Sequence, residues 1–178
     1  LKTAPFTLTD TTASRAPFKF NRPAGTEQST AVIQLSFSTG DPDTHFSQLG
    51  HQDLDLFVQG FENNADSLVE LLLGQTKAIS ISDASCEKHV VLLAEKLKSR
   101  ISDLNFLFLP QKGNQFSGFQ LISEFFFLKE KRQFFRLKDF GQAIKQFDCS
   151  EIKLNLFMNS IPTEFMRLFD NKVFKLDI

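Results

Sequence analysis

The chain has 178 residues, 42% hydrophobic and 23% charged, and its 20 bases and 21 acids leave a formal net charge of -1. That is enough apolar content for one domain, or for two small ones sharing a core, and the charge balance excludes nucleic acid or acidic lipid as a partner held by a global field. Cys86 and Cys149 form no metal-type spacing and no disulfide framework, so they read as free thiols in a reducing compartment. No apolar run approaches the roughly 18 residues of a membrane span, so the protein is not expected to be an integral membrane protein. The first residues, LKTAPFTLTD, lack an initiator Met and an apolar signal region, so the chain is expected to be a piece of a longer soluble protein.

Residues 1–30, rich in Thr, Ser, Ala and Pro, read as an extended arm with one or two edge strands, anchored by Phe6, Phe18 and Phe20. Residues 31–38 form the first clear strand, because Ile33, Leu35 and Phe37 alternate with Gln34, Ser36 and Ser38. After a polar loop, Leu54, Leu56 and Val58 alternate with Asp53 and Asp55 in a second strand, whose acids mark an exposed face. Asn63 or Asn64 then caps a helix with Ala65, Leu68, Val69 and Leu72 on one stripe, and Gly74 is expected to stop it in the left-handed conformation. Ile79 and Ile81 belong to a closing strand.

Between residues 85 and 150 the pattern changes. Residues 88–94 suit a strand, 95–102 fit strand or helix, and 103–109 a helical turn or strand ending at Pro110. Residues 111–115 read as a loop. Phe119, Ile122, Phe126 and, with a small drift, Glu130 fall at helical spacing, which predicts a helix over 117–128. A strand over 133–137 and a short helix over 141–147 follow. Residues 116–140 hold eight Phe, yet the chain has no Tyr and no Trp.

The C-terminal part repeats the earlier unit. Ile152, Leu154, Leu156 and Met158 mark a strand, Pro162 opens a helix with Phe165, Leu168 and Phe169 as its stripe, Asn171 stands where Gly74 stood, and Phe174, Leu176 and Ile178 close with a strand. The first strands match at an offset of 100, Leu56 against Leu156, while the helices and closing strands match at 97, Leu68 against Phe165 and Ile81 against Ile178. This predicts an internal duplication of a strand-helix-strand unit. The expected fold is α+β, mixed and β-rich, with the two units (31–84 and 151–178) flanking a Phe-rich helix-strand segment (85–150), after the arm at 1–30.

Few residues offer chemistry. Asp41, Asp43, His45, His51 and Asp53 are nitrogen and oxygen donors that could form a divalent-metal binding or hydrolytic module, but they match no calcium loop or zinc helix, and solvated loop residues are the simpler reading. Cys86 lies three residues from His89 without a third orienting group. Lys129, Lys131, Arg132, Arg136 and Lys138, interleaved with Phe134 and Phe135, form a basic-aromatic strip of the kind that binds single strands. Glu124, Glu130 and Asp139 dilute it, and a solvated edge over a Phe-rich core is favoured. No catalytic constellation, metal site or cofactor is expected. The surplus of large apolar side chains points to an assembly component.

In order along the chain stand a Leu-rich unit, DLDLFVQGFENNADSLVELLL, then Pro110, then Phe116, Gly118, Phe119, Leu121, Ile122, Glu124, Phe125 and Phe126, and then Glu130, Lys131, Phe134, Phe135 and Leu137. This pattern, over about residues 30–178, resembles the TssF (VasA/ImpG) family of type VI secretion baseplate subunits. The resemblance implies a structural, non-enzymatic role in a contractile injection machine. It also implies a TssG-like subunit, a second TssF copy, a TssK-like adaptor and the spike hub as partners, at the cytoplasmic face of the bacterial inner membrane. Family members are several times longer, so this would be an interior fragment. Phe119 and Phe125 stand where the family pattern has Tyr.

Overall fold

The structure, a computed structural model, describes residues 4–50, 53–109 and 116–176. Nine strands form two antiparallel sheets among these residues. The larger has the order β1-β2-β8-β4-β5 and the smaller β6-β7-β3-β9. Their ranges are β1 Thr7–Arg15, β2 Ala31–Ser38, β3 Leu54–Val58, β4 Thr76–Asp83, β5 His89–Leu93, β6 Leu97–Ser99, β7 Phe134–Leu137, β8 Glu151–Met158 and β9 Phe174–Leu176. The helices are α1 Ala65–Gln75, α2 Ser117–Phe127, α3 Phe140–Ile144 and α4 Thr163–Met166.

Period-two alternation makes the core. Ile33, Leu35 and Phe37 from β2, Ile79 and Ile81 from β4, and Ile152, Leu154 and Leu156 from β8 form the inner face of the large sheet. They pack in one cluster with Leu54, Leu56 and Val58 of β3, Phe135 and Leu137 of β7, and the α1 stripe of Ala65, Leu68, Val69 and Leu72. Burying each such side chain contributes about 1.5–3 kcal/mol.

The two sequence-related units are interleaved rather than set side by side. The first strand of one pairs with the last strand of the other, β3 with β9 and β4 with β8. The register agrees with the duplication. Leu56 lies opposite Leu176, and their counterparts at offsets of 100 and 97, Leu156 and Ile79, lie opposite each other. Phe57 opposite Lys175 corresponds in the same way to Phe157 opposite Ala78. The correspondence ends at Met158, where a register irregularity between Thr76 and Ala78 places Thr76 opposite it.

Several expectations are corrected. Gly74 does not stop α1, which runs through it to Gln75 and enters β4 directly; among the described residues the positive-φ glycines are Gly25, Gly40 and Gly60. Asn64 is the N-cap residue of α1. Residues 95–102 contain a short 3-10 helix and then β6, whereas 103–109 hold only turns and bends. Pro110, residues 111–115 and Ile178 lie outside the described residues. Within residues 4–30, β1 pairs with β2 along its length, Phe6 joins the core, and Phe18 and Phe20 pack against Phe157 on the outer face of the large sheet.

That outer face is also less solvated than its polar alternation suggests. Asn155 of β8, Ser80 and Ser82 of β4 are fully buried. Asn155 Nδ2 donates to both Ser Oγ atoms at 3.1 Å, and its Oδ1 accepts from Gln34 Nε2 at 2.7 Å. His89 extends the network. Its Nε2 donates to the Asn21 and Cys86 carbonyls at 2.9 Å, which leaves Nδ1 to accept from Ser80 Oγ at 3.3 Å. Asn155→Ala removes the shared partner of the buried Ser80 and Ser82 and the half-buried Gln34 and is expected to cost about 1–3 kcal/mol, read as a lower urea midpoint with an unchanged m-value.

Candidate functional site: an outward-facing aromatic helix

The Phe-rich segment is built around one buried ion pair. Glu124, in the last turns of α2, and Lys131, in the following 3-10 turn, have fully buried side chains. Lys131 Nζ donates to Glu124 Oε2 at 2.6 Å, and Oε1 accepts the backbone N–H groups of Phe108 and Leu109 at 2.6 and 2.7 Å. One carboxylate thus ties α2 both to the turn behind it and to the loop at 104–109. Burial opposes its ionisation, but the Lys131 ammonium and the two backbone donors outweigh that and hold the carboxyl below its usual range.

Glu124 is the buried residue of α2. Phe119 is 70% exposed and Phe126 65%, with Phe116, Ile122 and Phe127 exposed beside them. At about 100° per residue, Phe119 and Phe126 share one side of α2, and Glu124 lies about 140° away from Phe119. The helical spacing is real, but the stripe faces outward. Because Phe119 and Phe125 are both exposed, a Tyr hydroxyl at either position would meet solvent and need no buried partner.

The other motif residues divide between packing and surface. Phe135 is a core residue. Phe134 is buried on the opposite face of β7, against Phe57 at 4.6 Å and Phe106 at 5.0 Å. Leu121 is half-buried and Glu130 exposed. Gly118 lies beneath the Phe116 ring, where an added Cβ would come within 2.4 Å of the ring.

A second charged cluster anchors the loop from its other end. Asp55 of β3 stands opposite Arg136 of β7 and accepts its Nε and Nη2 at 2.7 Å each. Arg100 Nη1 also donates to Asp55, at 2.8 Å, while its other edge grips Asp103 and its guanidinium lies 3.6 Å from the Phe106 ring centroid. Burial opposes the ionisation of Asp103, but the Asn105 N–H and Arg100 prevail and keep its pKa low. The Asp53–Asp55 face, expected to be merely solvated, is thus an ion-pair platform under residues 100–106. The basic strip is partly spent in the same way: Lys131 on Glu124, Arg136 on Asp55, and Arg132 over the Phe125 ring at 4.8 Å.

Three of the candidate metal ligands have other work. Asp41 accepts from the Asp43 N–H and the Thr44 hydroxyl, His45 Nδ1 meets Asp148 at 2.6 Å, and Asp53 accepts from the Asp139 N–H. His51 lies outside the described residues. No group of three or more His, Cys, Asp or Glu among the described residues could hold a metal ion. Cys86 and His89 meet through the Cys86 carbonyl, not its thiol. Both cysteines are free, and no described helix is long and apolar enough to cross a membrane.

The structure is thus an α+β body of two interlocked units that carries an outward apolar helix. The chain matches the family described as "Type VI secretion system, TssF" over residues 1–178 and belongs to it. Its fold is similar to that of a chain in a cryo-electron-microscopy structure of the type VI secretion system TssK-TssF-TssG baseplate subcomplex, with a TM-score of 0.67 at 14% identity. That likeness covers 99% of this chain and 31% of the other, so the chain spans about a third of the protein it matches. No curated protein matches it.

Lys131→Met removes one partner of a buried pair and is expected to destabilise the fold by about 3–5 kcal/mol in urea unfolding. The pH dependence has a definite sign. Because the folded pKa of Glu124 lies below the unfolded value of about 4.3, its contribution is present above that value and lost as pH falls through the folded pKa. Acid titration of stability below about pH 4 should therefore be shallower in Glu124→Gln than in the parent.

Proposed function

We propose that this chain is a scaffold part of a type VI secretion baseplate subunit, working through shape and buried surface in a contractile injection machine rather than by catalysis. The observation that carries the reading is α2, which holds itself to the body by Glu124 and turns Phe119, Ile122 and Phe126 outward. An apolar stripe of that size on a polar-rimmed body is the chemistry of a subunit contact. Family membership supports a structural role.

The solved assembly that this fold resembles is described as a TssK-TssF-TssG subcomplex. This supports a TssG-like subunit and a TssK-like adaptor as the first partners to test. The same reading extends to a second TssF copy and the spike hub, and to a location in the bacterial cytoplasm at the inner-membrane face. The metal-module alternative has no support in the way Asp41, His45 and Asp53 are engaged.

Replacing Phe119 and Phe126 together with Ser separates contact from folding. Because both side chains are exposed, the unfolding free energy should change by no more than about 0.5 kcal/mol per site. Co-purification of the full-length protein with its TssG-like and TssK-like partners should fall sharply. Unchanged assembly would remove α2 from the contact. Failure of the parent protein to enter any such complex would overturn the baseplate reading itself.

A further inference from the structure

The Phe-rich helix belongs to an excursion whose two ends meet. β6 pairs with β7, setting Leu97 opposite Leu137 and Ser99 opposite Phe135. The chain leaves this ladder at Arg100 and returns to it at Phe134, where the Arg100 N–H donates to the Phe134 carbonyl at 3.0 Å. The described residues between them, 101–109 and 116–133, hang from that one closed base and supply no strand to either sheet.

The bonds of the excursion run inward. Among its described residues the buried side chains are Glu124 and Lys131 alone, and they hold each other at 2.6 Å. The second oxygen of Glu124 takes the Phe108 and Leu109 N–H groups, which lie in the same excursion. None of its described residues joins the core cluster or packs against it. Its links to the body gather near the base. Arg100 donates to Asp103 and to Asp55 of β3, and Phe106 and Phe108 meet the Phe134 ring at 5.0 and 5.5 Å. Along α1 it faces the body across an open groove lined by Val69, Leu73, Ile101, Phe125 and Arg132.

Apolar burial is what resists opening, at about 1.5–3 kcal/mol for each fully buried side chain. The inner faces of β2 and β8 are built of such residues, and the excursion has none. Regions poor in buried apolar contacts open below the global cost, in contiguous cooperative units. α2 has 11 residues, and a helix of that length is marginal alone. Once the bonds of Glu124 break, α2 therefore melts, and residues 106–109 are released with it.

We propose that residues 101–109 and 116–133 form a separate cooperative unit, which opens and re-forms while both sheets stay folded. Arg100 and Phe134 are its fixed base, and Glu124 is the group that makes its parts open together. The aromatic face of α2 then exists only in the closed form. A partner that covers Phe119 and Phe126 would bind that form and suppress the opening; this consequence rests on the contact proposed above, whereas the opening itself does not.

The test is native-state hydrogen exchange of the full-length protein without partners, in rising sub-denaturing urea. Mass spectrometry reads peptides covering 106–109, α2, β2 and β8. The first two should share one protection factor and one urea slope, about a hundredfold below the protection of β2 and β8. Asn155→Ala should lower the protection of β2 and β8 about tenfold and leave that of α2 unchanged, because opening the unit breaks no bond of Asn155. Glu124→Gln should lower all four, since its bonds are lost in either opening. Equal protection of α2 and β8, an Asn155→Ala effect as large on α2 as on β8, or separate slopes for 106–109 and α2 would each overturn the proposal.

Discussion

The constraint on which the rest of the structure depends is the exchange of strands between the two strand-helix-strand units. Each unit places one strand in each sheet, so neither sheet can form without both units. β8 lies between β2 and β4, burying Leu154 and Leu156 on one face and Asn155 on the other. A one-residue slip of β8 would carry Asn155 into the apolar core and Leu154 against Ser80 and Ser82, so the buried amide fixes register where uniform hydrophobicity could not.

The middle segment joins this body through ions as well as through aromatics. Residues 100–109 are clamped at one end by Arg100 on Asp55 and Asp103, and at the other by Glu124 accepting from Phe108 and Leu109. Burying Glu124 with Lys131 costs desolvation that a pair of apolar side chains would avoid. What it provides is orientation. With one acidic residue as the inward face of α2, the helix has a single way to sit, and its Phe stripe is held away from the core instead of collapsing into it.

Strands and core were legible because alternation is a local signal: β2, β3 and β8 follow from Ile33, Leu56 and Leu154 and their neighbours, and α1 from Leu68 and Leu72. The pairing of the two units was not legible, since the offsets of 97 and 100 relate the units in sequence without saying which strands stand side by side. Nor was the face of α2. Periodicity reports that Phe119, Ile122 and Phe126 share a side, but not whether that side meets the protein or something else. The one local hint was Glu124 followed seven residues later by Lys131, too far apart along one helix to meet, and brought together only because the chain turns at Leu128. Gly74 misled for a related reason: glycine permits a left-handed stop, but here the chain passes from helix to strand without one.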